Sequence, residues 1–127
     1  MIELDHESGT VRFDWHRYAR DQANVWADRV LEAAYAHGFR YVEFVHGAAD
    51  IGARGTPGFE AAPLEGRGQV KQLLRRRLYS GQWRRWVKDR NEGQHDITES
   101  RMLIALRENP KPDARAPWPV VPPPAYP

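Results

Sequence analysis

Thr10-Val11-Arg12-Phe13-Asp14-Trp15-His16 alternates apolar and polar residues without a break. In an extended chain, successive side chains point to opposite sides, so Val11, Phe13 and Trp15 share one face and Arg12, Asp14 and His16 the other. β-branched and aromatic residues at the apolar positions suit a half-buried strand. From Tyr18 to about Ala36 the period lengthens. Ala19, Ala23, Trp26, Ala27, Val30, Leu31 and Ala34 form one helical stripe, and His37-Gly38 ends it with a residue suited to the left-handed cap. Arg40-Tyr41-Val42-Glu43-Phe44-Val45-His46 then reads as a second strand, broken by Gly47. Strand, helix and strand in this order predict a βαβ unit with parallel strands and a right-handed crossover.

Outward from that unit, Ile2 to Leu4 supplies a hairpin arm across Glu7-Ser8-Gly9. Residues 47–66 carry Gly47, Gly52, Gly55, Gly58, Gly66, Pro57 and Pro63 without periodicity, which predicts a long loop of the kind compact domains keep for function or mobility. A second helix is expected from Gly68 to Tyr79, with Val70, Leu73, Leu74 and Leu78 inward and Ser80-Gly81 as its stop. Trp83–Lys88 and Glu99–Arg107 read as two further strands, paired as an antiparallel hairpin about Asn91-Glu92-Gly93. The expected fold class is therefore α/β (α+β), a two-layer βαβαββ sandwich over residues 1–108. Residues 109–127 hold eight of the ten prolines, so they can be neither helix nor central strand, and a flexible polyproline II tail is expected.

The chain has 127 residues, enough for one domain with a core of its own. It has no cysteine, which excludes disulfides, thiolate zinc sites and cysteine nucleophiles. No apolar run approaches the ~20 residues that span a bilayer, and the first residues lack the pattern of a secretory signal. A cytoplasmic location and no membrane partner are expected. The net charge of +2 hides a segregation. Arg67 to Arg90 holds nine basic residues and one acid, +8, which leaves −6 for the rest and points to a polyanion-facing surface.

Parallel strands joined by a crossover helix end at one rim, and ligands of open α/β sheets gather there. That rim should hold Asp14, His16 and His46, the candidate catalytic residues. Imidazole and carboxylate together can exchange protons with a nucleophile or leaving oxygen, or hold a divalent ion. No cofactor is predicted. A divalent metal is the one left open, since the three residues do not make a strong ligand spacing.

Phe13-Asp14-Trp15-His16-Arg17 resembles the Leu-Asp-Leu-His-Gly motif that opens domains of the Smr (small MutS-related) family. The helix after it, the strand ending in Val45-His46-Gly47, and Gly66-Arg67-Gly68 followed by Val70-Lys71-Gln72-Leu73-Leu74 resemble the family's next elements in order and spacing, over roughly Thr10 to Arg107. The resemblance implies a fold like the C-terminal domain of bacterial translation initiation factor three. It also implies DNA or RNA binding, in some members with nicking endonuclease activity, and it carries functional roles onto Asp14, His16, His46 and Gly47. The chain departs from the pattern at Arg17, where the motif has glycine, at Ala48-Ala49, where Lys-Gly is expected, and around Gly93, where a Gly-rich loop is reduced to one glycine.

The basic segment adds its own argument. Arg67, Lys71, Arg75 and Arg76 lie at and beside the second helix, and Trp83-Arg84-Arg85-Trp86 interleaves guanidiniums with indoles. Guanidiniums hold phosphate in bidentate fashion, and an indole stacks on an unpaired base for ~1–3 kcal/mol. The opposing account makes both tryptophans core residues. The rival function is a non-catalytic protein-interaction module that uses the long loop and the Pro-rich tail.

Overall fold

The computed structural model describes residues 1–47, 68–89 and 95–126. The expected long loop after Gly47, Arg67 and the Asn91-Glu92-Gly93 turn lie outside the described residues. The elements are β1 (Ile2–Asp5), β2 (Thr10–Asp14), α1 (Arg20–His37), β3 (Tyr41–Val45), α2 (Gln69–Ser80), β4 (Asp96–Ile97) and β5 (Arg101–Ala105). Among the described residues they make a small mixed α+β domain: one five-stranded sheet in the order β1-β2-β3-β5-β4, with two helices. From β2 onward the order is β-α-β-α-β-β, and β2 pairs in parallel with β3 as the crossover predicts. The other three pairings are antiparallel, and β1 is the expected hairpin arm on β2.

Alternation decides the two faces. Val11 lies beside Val42 and Phe13 beside Phe44, and Met102 and Ile104 of β5 continue the same layer; all six are fully buried. Ala23, Ala27, Val30, Leu31 and Ala34 of α1, with Leu73, Leu74 and Leu78 of α2, close that side. The small residues of α1 admit the bulky aromatics of the sheet, where Trp15 packs edge-on to Phe44 at 5.5 Å between centroids. The opposite face carries a row of alternating charge that touches every strand: Glu3, Arg12, Glu43, Arg101 and Asp96. Its successive contacts are 3.3, 3.6, 3.6 and 3.9 Å.

Two boundaries differ from expectation for local reasons. The helix begins at Arg20 and not at Tyr18, because Ala19 stays extended while the Gln22 side chain accepts its N–H at 3.0 Å. The strand expected over Trp83–Lys88 is instead a run of turns, with Val87 N–H donating to Trp83 O and a single bridge from Val87 to Leu106. Trp83, Trp86 and Val87 stand at i, i+3 and i+4, a helical-turn spacing that buries one side of a turn and not alternate residues of a strand. The edge partner of β5 is the two-residue β4.

The Pro-rich segment has no helix or strand and rests along α1. His37 donates to Ala116 O and stacks on Trp118, Tyr18 donates to Pro122 O, and Tyr126 N–H reaches Arg17 O. Gln22 clamps its far end, donating to Pro123 O at 2.9 Å and accepting from Ala125 N–H at 3.0 Å. Among the described residues, no helix is long and apolar enough to cross a membrane.

Candidate functional site

The parallel pairing of Asp14 with Val45 brings the ends of β2 and β3 to one rim, and Trp15 N–H donates to Val45 O there. The rim has two layers. Asp14 lies on the charged face of the sheet, exposed, and its Oδ1 accepts the backbone N–H of His16 at 2.8 Å. That is an Asx turn: the carboxylate holds the chain reversal after the strand, and among the described residues it accepts no hydrogen bond from an imidazole. His16 follows the turn, exposed, with its ring against Gly47. A Cβ built on Gly47 would lie 3.1 Å from His16 Nδ1, and Gly47 itself has φ 78. The positive φ and the close ring both call for glycine.

His46 belongs to the other layer. It shares strand parity with Val42 and Phe44, so its ring enters the helix side and is 6% exposed. The structure thus brings Asp14, His16 and Gly47 together and turns His46 away from them, across the sheet. The signal was available in the sequence, since His46 alternates in step with apolar partners and Asp14 and His16 alternate out of step with theirs.

Around His46 stands a group that the sequence does not announce. Its backbone N–H and that of Gly47 both donate to Ser100 O, at 2.9 and 3.0 Å. Lys71 of α2, buried, donates to Glu99 at 2.9 Å, and Arg75 one turn later donates to Thr98 O at 2.7 Å. Three consecutive residues, Thr98-Glu99-Ser100, are therefore gripped from α2 and from the two residues that follow β3 together. His46 Nδ1 lies 2.9 Å from Gly47 O. A carbonyl only accepts, so Nδ1 carries the proton and Nε2 is a bare lone pair in the neutral ring. Burial, aided by the charges of Arg75 and Lys71, holds this imidazole below its ordinary pKa and so neutral. Glu99 is held below the usual carboxylate range by its hydrogen bond and charge contact with Lys71.

The basic segment divides. Lys71, Arg75 and Arg77 are engaged within the fold, Arg77 with Asp28 and Asn24. Trp83 is a core residue, 1% exposed, whose indole N–H donates to Asp28 at 2.7 Å. Arg76, Arg84, Arg85 and Lys88 are exposed, and no described carboxylate pairs with them. The Arg85 guanidinium lies 5.5 Å from the centroid of half-buried Trp86. Arg84 and Lys88 border a cleft of about 250 Å³ floored by Trp83 and Val87, and Asp89 beside it meets Arg107 at 3.8 Å. Lys88 N–H donates to Ala105 O, which places this patch at the far end of β5. Because Ala105 pairs with Tyr41, at the start of β3, the patch and the histidine rim sit at opposite ends of the strands. They are about 15 Å apart at 3.3 Å per residue. Arg67 lies outside the described residues.

His95 is a further functional-looking residue with a plain role: Nε2–H donates to Lys88 O and Nδ1 accepts Ala105 N–H, so both nitrogens are used within the fold. Among the described residues, no three His, Asp or Glu side chains gather to hold a metal ion. No family model matches the chain, and no curated protein or solved structure matches it.

Proposed function

We propose that this chain is a nucleic-acid-binding domain of Smr type, with a fold like the C-terminal domain of translation initiation factor three. It contacts phosphate through the exposed cations of the 76–88 segment. The observation that carries the reading is the cluster of Arg84, Arg85 and Lys88, paired with no described carboxylate, beside a half-buried indole and a shallow cleft, with Arg76 exposed on the preceding helix. Four cations that pair with no described carboxylate are available to displace counterions from a polyanion, and Trp86 offers a surface for a base. The charged face of the sheet is unsuited to that role, since Glu3, Asp5, Asp14, Glu43 and Asp96 outnumber Arg12 and Arg101.

Two further features support the family reading. The element order from β2 is the one the resemblance implies. Arg17, at the place of the motif's glycine, has φ 68, the left-handed conformation that glycine takes without cost. Phosphodiester hydrolysis has less support, because a base and an acid acting on one bond need a common solvent-open pocket, and His46 and His16 occupy different layers of the rim.

The test is binding of labelled single-stranded and duplex DNA and RNA across a salt series. The expected result is affinity falling steeply with salt, and the Arg84→Glu, Arg85→Glu double variant losing binding while Arg20→Glu, on the first turn of α1, retains it. Wild-type affinity that stays flat with salt defeats the proposal. In the same samples, strand cleavage that disappears in Asp14→Ala or His16→Ala with binding intact identifies a nuclease.

A further inference from the structure

We propose that the clasp of Lys71, Arg75 and His46 is a second phosphate site that the chain's own Glu99 occupies, and that its ligand presents a phosphate oxygen together with a hydroxyl proton. The proposal deepens the nucleic-acid reading and rests on it only for the source of the phosphate.

Charge balance is the first ground. Lys71 and Arg75 are two cations in a sheltered place, and among the described residues the one carboxylate that meets them is Glu99, which is 80% exposed. Sheltered charge that is not matched is costly, so the pair favours a further anion or one stronger than a carboxylate. Glu99 is attached at the surface and its departure opens no apolar core, whereas Lys71 is fixed by burial. The mobile member of the ion pair is the anion.

Unmet hydrogen bonding is the second ground. Among the described residues, His46 Nε2 and Arg75 Nε are buried and have no partner. Natural folds rarely leave such atoms unpaired. With Nδ1–H committed to Gly47 O, Nε2 accepts and cannot donate. A bare anion therefore satisfies Lys71 and the Arg75 Nε–H but leaves His46 unmet. A phosphate with an O–H beside it, its own P–OH or the ribose 2′-hydroxyl of RNA, offers each of the three a partner of the kind it lacks. Thr98-Glu99-Ser100 is the segment that must yield; Arg75 and Lys71 hold it by one bond each and the backbone of His46 and Gly47 by two, while Thr98 is further tied to the start of β5 through its N–H to Arg101 O at 2.9 Å.

The experiment titrates full-length protein with inorganic phosphate, an RNA octamer and the DNA octamer of the same sequence, following the His46 ring resonances by NMR. Glu99→Gln removes the competing charge and keeps an acceptor for Lys71, so phosphate or RNA should bind about tenfold more tightly than to the wild type. Lys71→Met should abolish the response. A ribose-phosphate source appears as a gain for RNA and none for DNA. A free-phosphate source appears as a gain for inorganic phosphate alone. No gain with any probe in Glu99→Gln, or an undiminished response in Lys71→Met, overturns the proposal. The Arg84→Glu, Arg85→Glu variant separates it from the nucleic-acid reading, because inorganic phosphate should still move His46 there.

Discussion

Trp118 stacks on His37 with ring centroids 4.4 Å apart and planes inclined by 19°, while the same imidazole donates to Ala116 O at 2.7 Å. One side chain at the end of α1 thus anchors the proline segment by face and by edge. Prolines lower the entropy lost when such a segment settles, so a few contacts suffice to hold it. Trp118→Ala should cost roughly 1–3 kcal/mol in urea denaturation. It should also raise hydrogen exchange at Ala125, whose N–H is held by Gln22. Unchanged exchange there would mean the two ends of the segment are anchored independently.

Arg17 and Gly47 pose opposite tests of the rim backbone. Both have positive φ, and Arg17 is the only non-glycine residue to do so among those described. Left-handed backbone costs a residue with a Cβ about 1 kcal/mol or more. Arg17→Gly should raise the unfolding midpoint, offset in part by the freedom glycine gains in the unfolded chain. Gly47→Ala should lower stability by about 1–2 kcal/mol and displace the His16 ring, seen as a shifted His16 resonance.

His46 sets a pH dependence whose sign is fixed by its environment. Burial lowers its folded pKa below the ordinary 6.5, so the unfolded chain takes up the proton first. Stability is therefore complete above pH 6.5 and declines as the pH falls from there toward the folded value. In His46→Gln that part of the slope should vanish from a series of denaturation curves. Glu99, also lowered from its ordinary 4.5, keeps its own contribution above that value and loses it at more acid pH.

Trp83 offers a measure of how far its role is structural. Its ring packs on Phe44 at 6.0 Å and its N–H bonds to Asp28, which Arg77 also contacts. Trp83→Phe keeps much of the ring and loses the bond, so a loss of about 1–2 kcal/mol is expected, against 3–5 for Trp83→Ala. Nucleic-acid affinity should stay within twofold of the wild type in Trp83→Phe, whereas Trp86→Ala should weaken single-strand binding by ~1–3 kcal/mol.

The stretch from Thr10 to His46 was legible because each of its elements writes its own period: two, then 3.6, then two again. Val11, Phe13 and Trp15 were placed on one face by alternation alone, and all three are buried. The 83–88 segment was read as a strand and is a run of turns, because Trp83, Trp86 and Val87 stand at i, i+3 and i+4 and bury one side of a turn. The resting place of the proline segment depends on backbone carbonyls such as Pro122 O and Pro123 O, and no side-chain pattern encodes those. The Lys71–Glu99 contact spans 28 residues and joins elements whose proximity only the sheet order determines. The basic segment was read as a unit of charge, but Lys71, Arg75 and Arg77 are turned inward by the helical period of α2, which leaves the outward surface to Arg76, Arg84, Arg85 and Lys88.

The row from Glu3 to Asp96 works as a key for strand alignment. Moving β2 by one residue would drive Arg12 into the oily layer. Moving it by two keeps the faces but brings either Asp14 between Glu3 and Glu43, three acids abreast, or Thr10 between them, with neither acid answered. A sheet that must choose among near-equivalent pairings is thereby given one answer, and the same hydrated stripe discourages a second sheet from stacking on it.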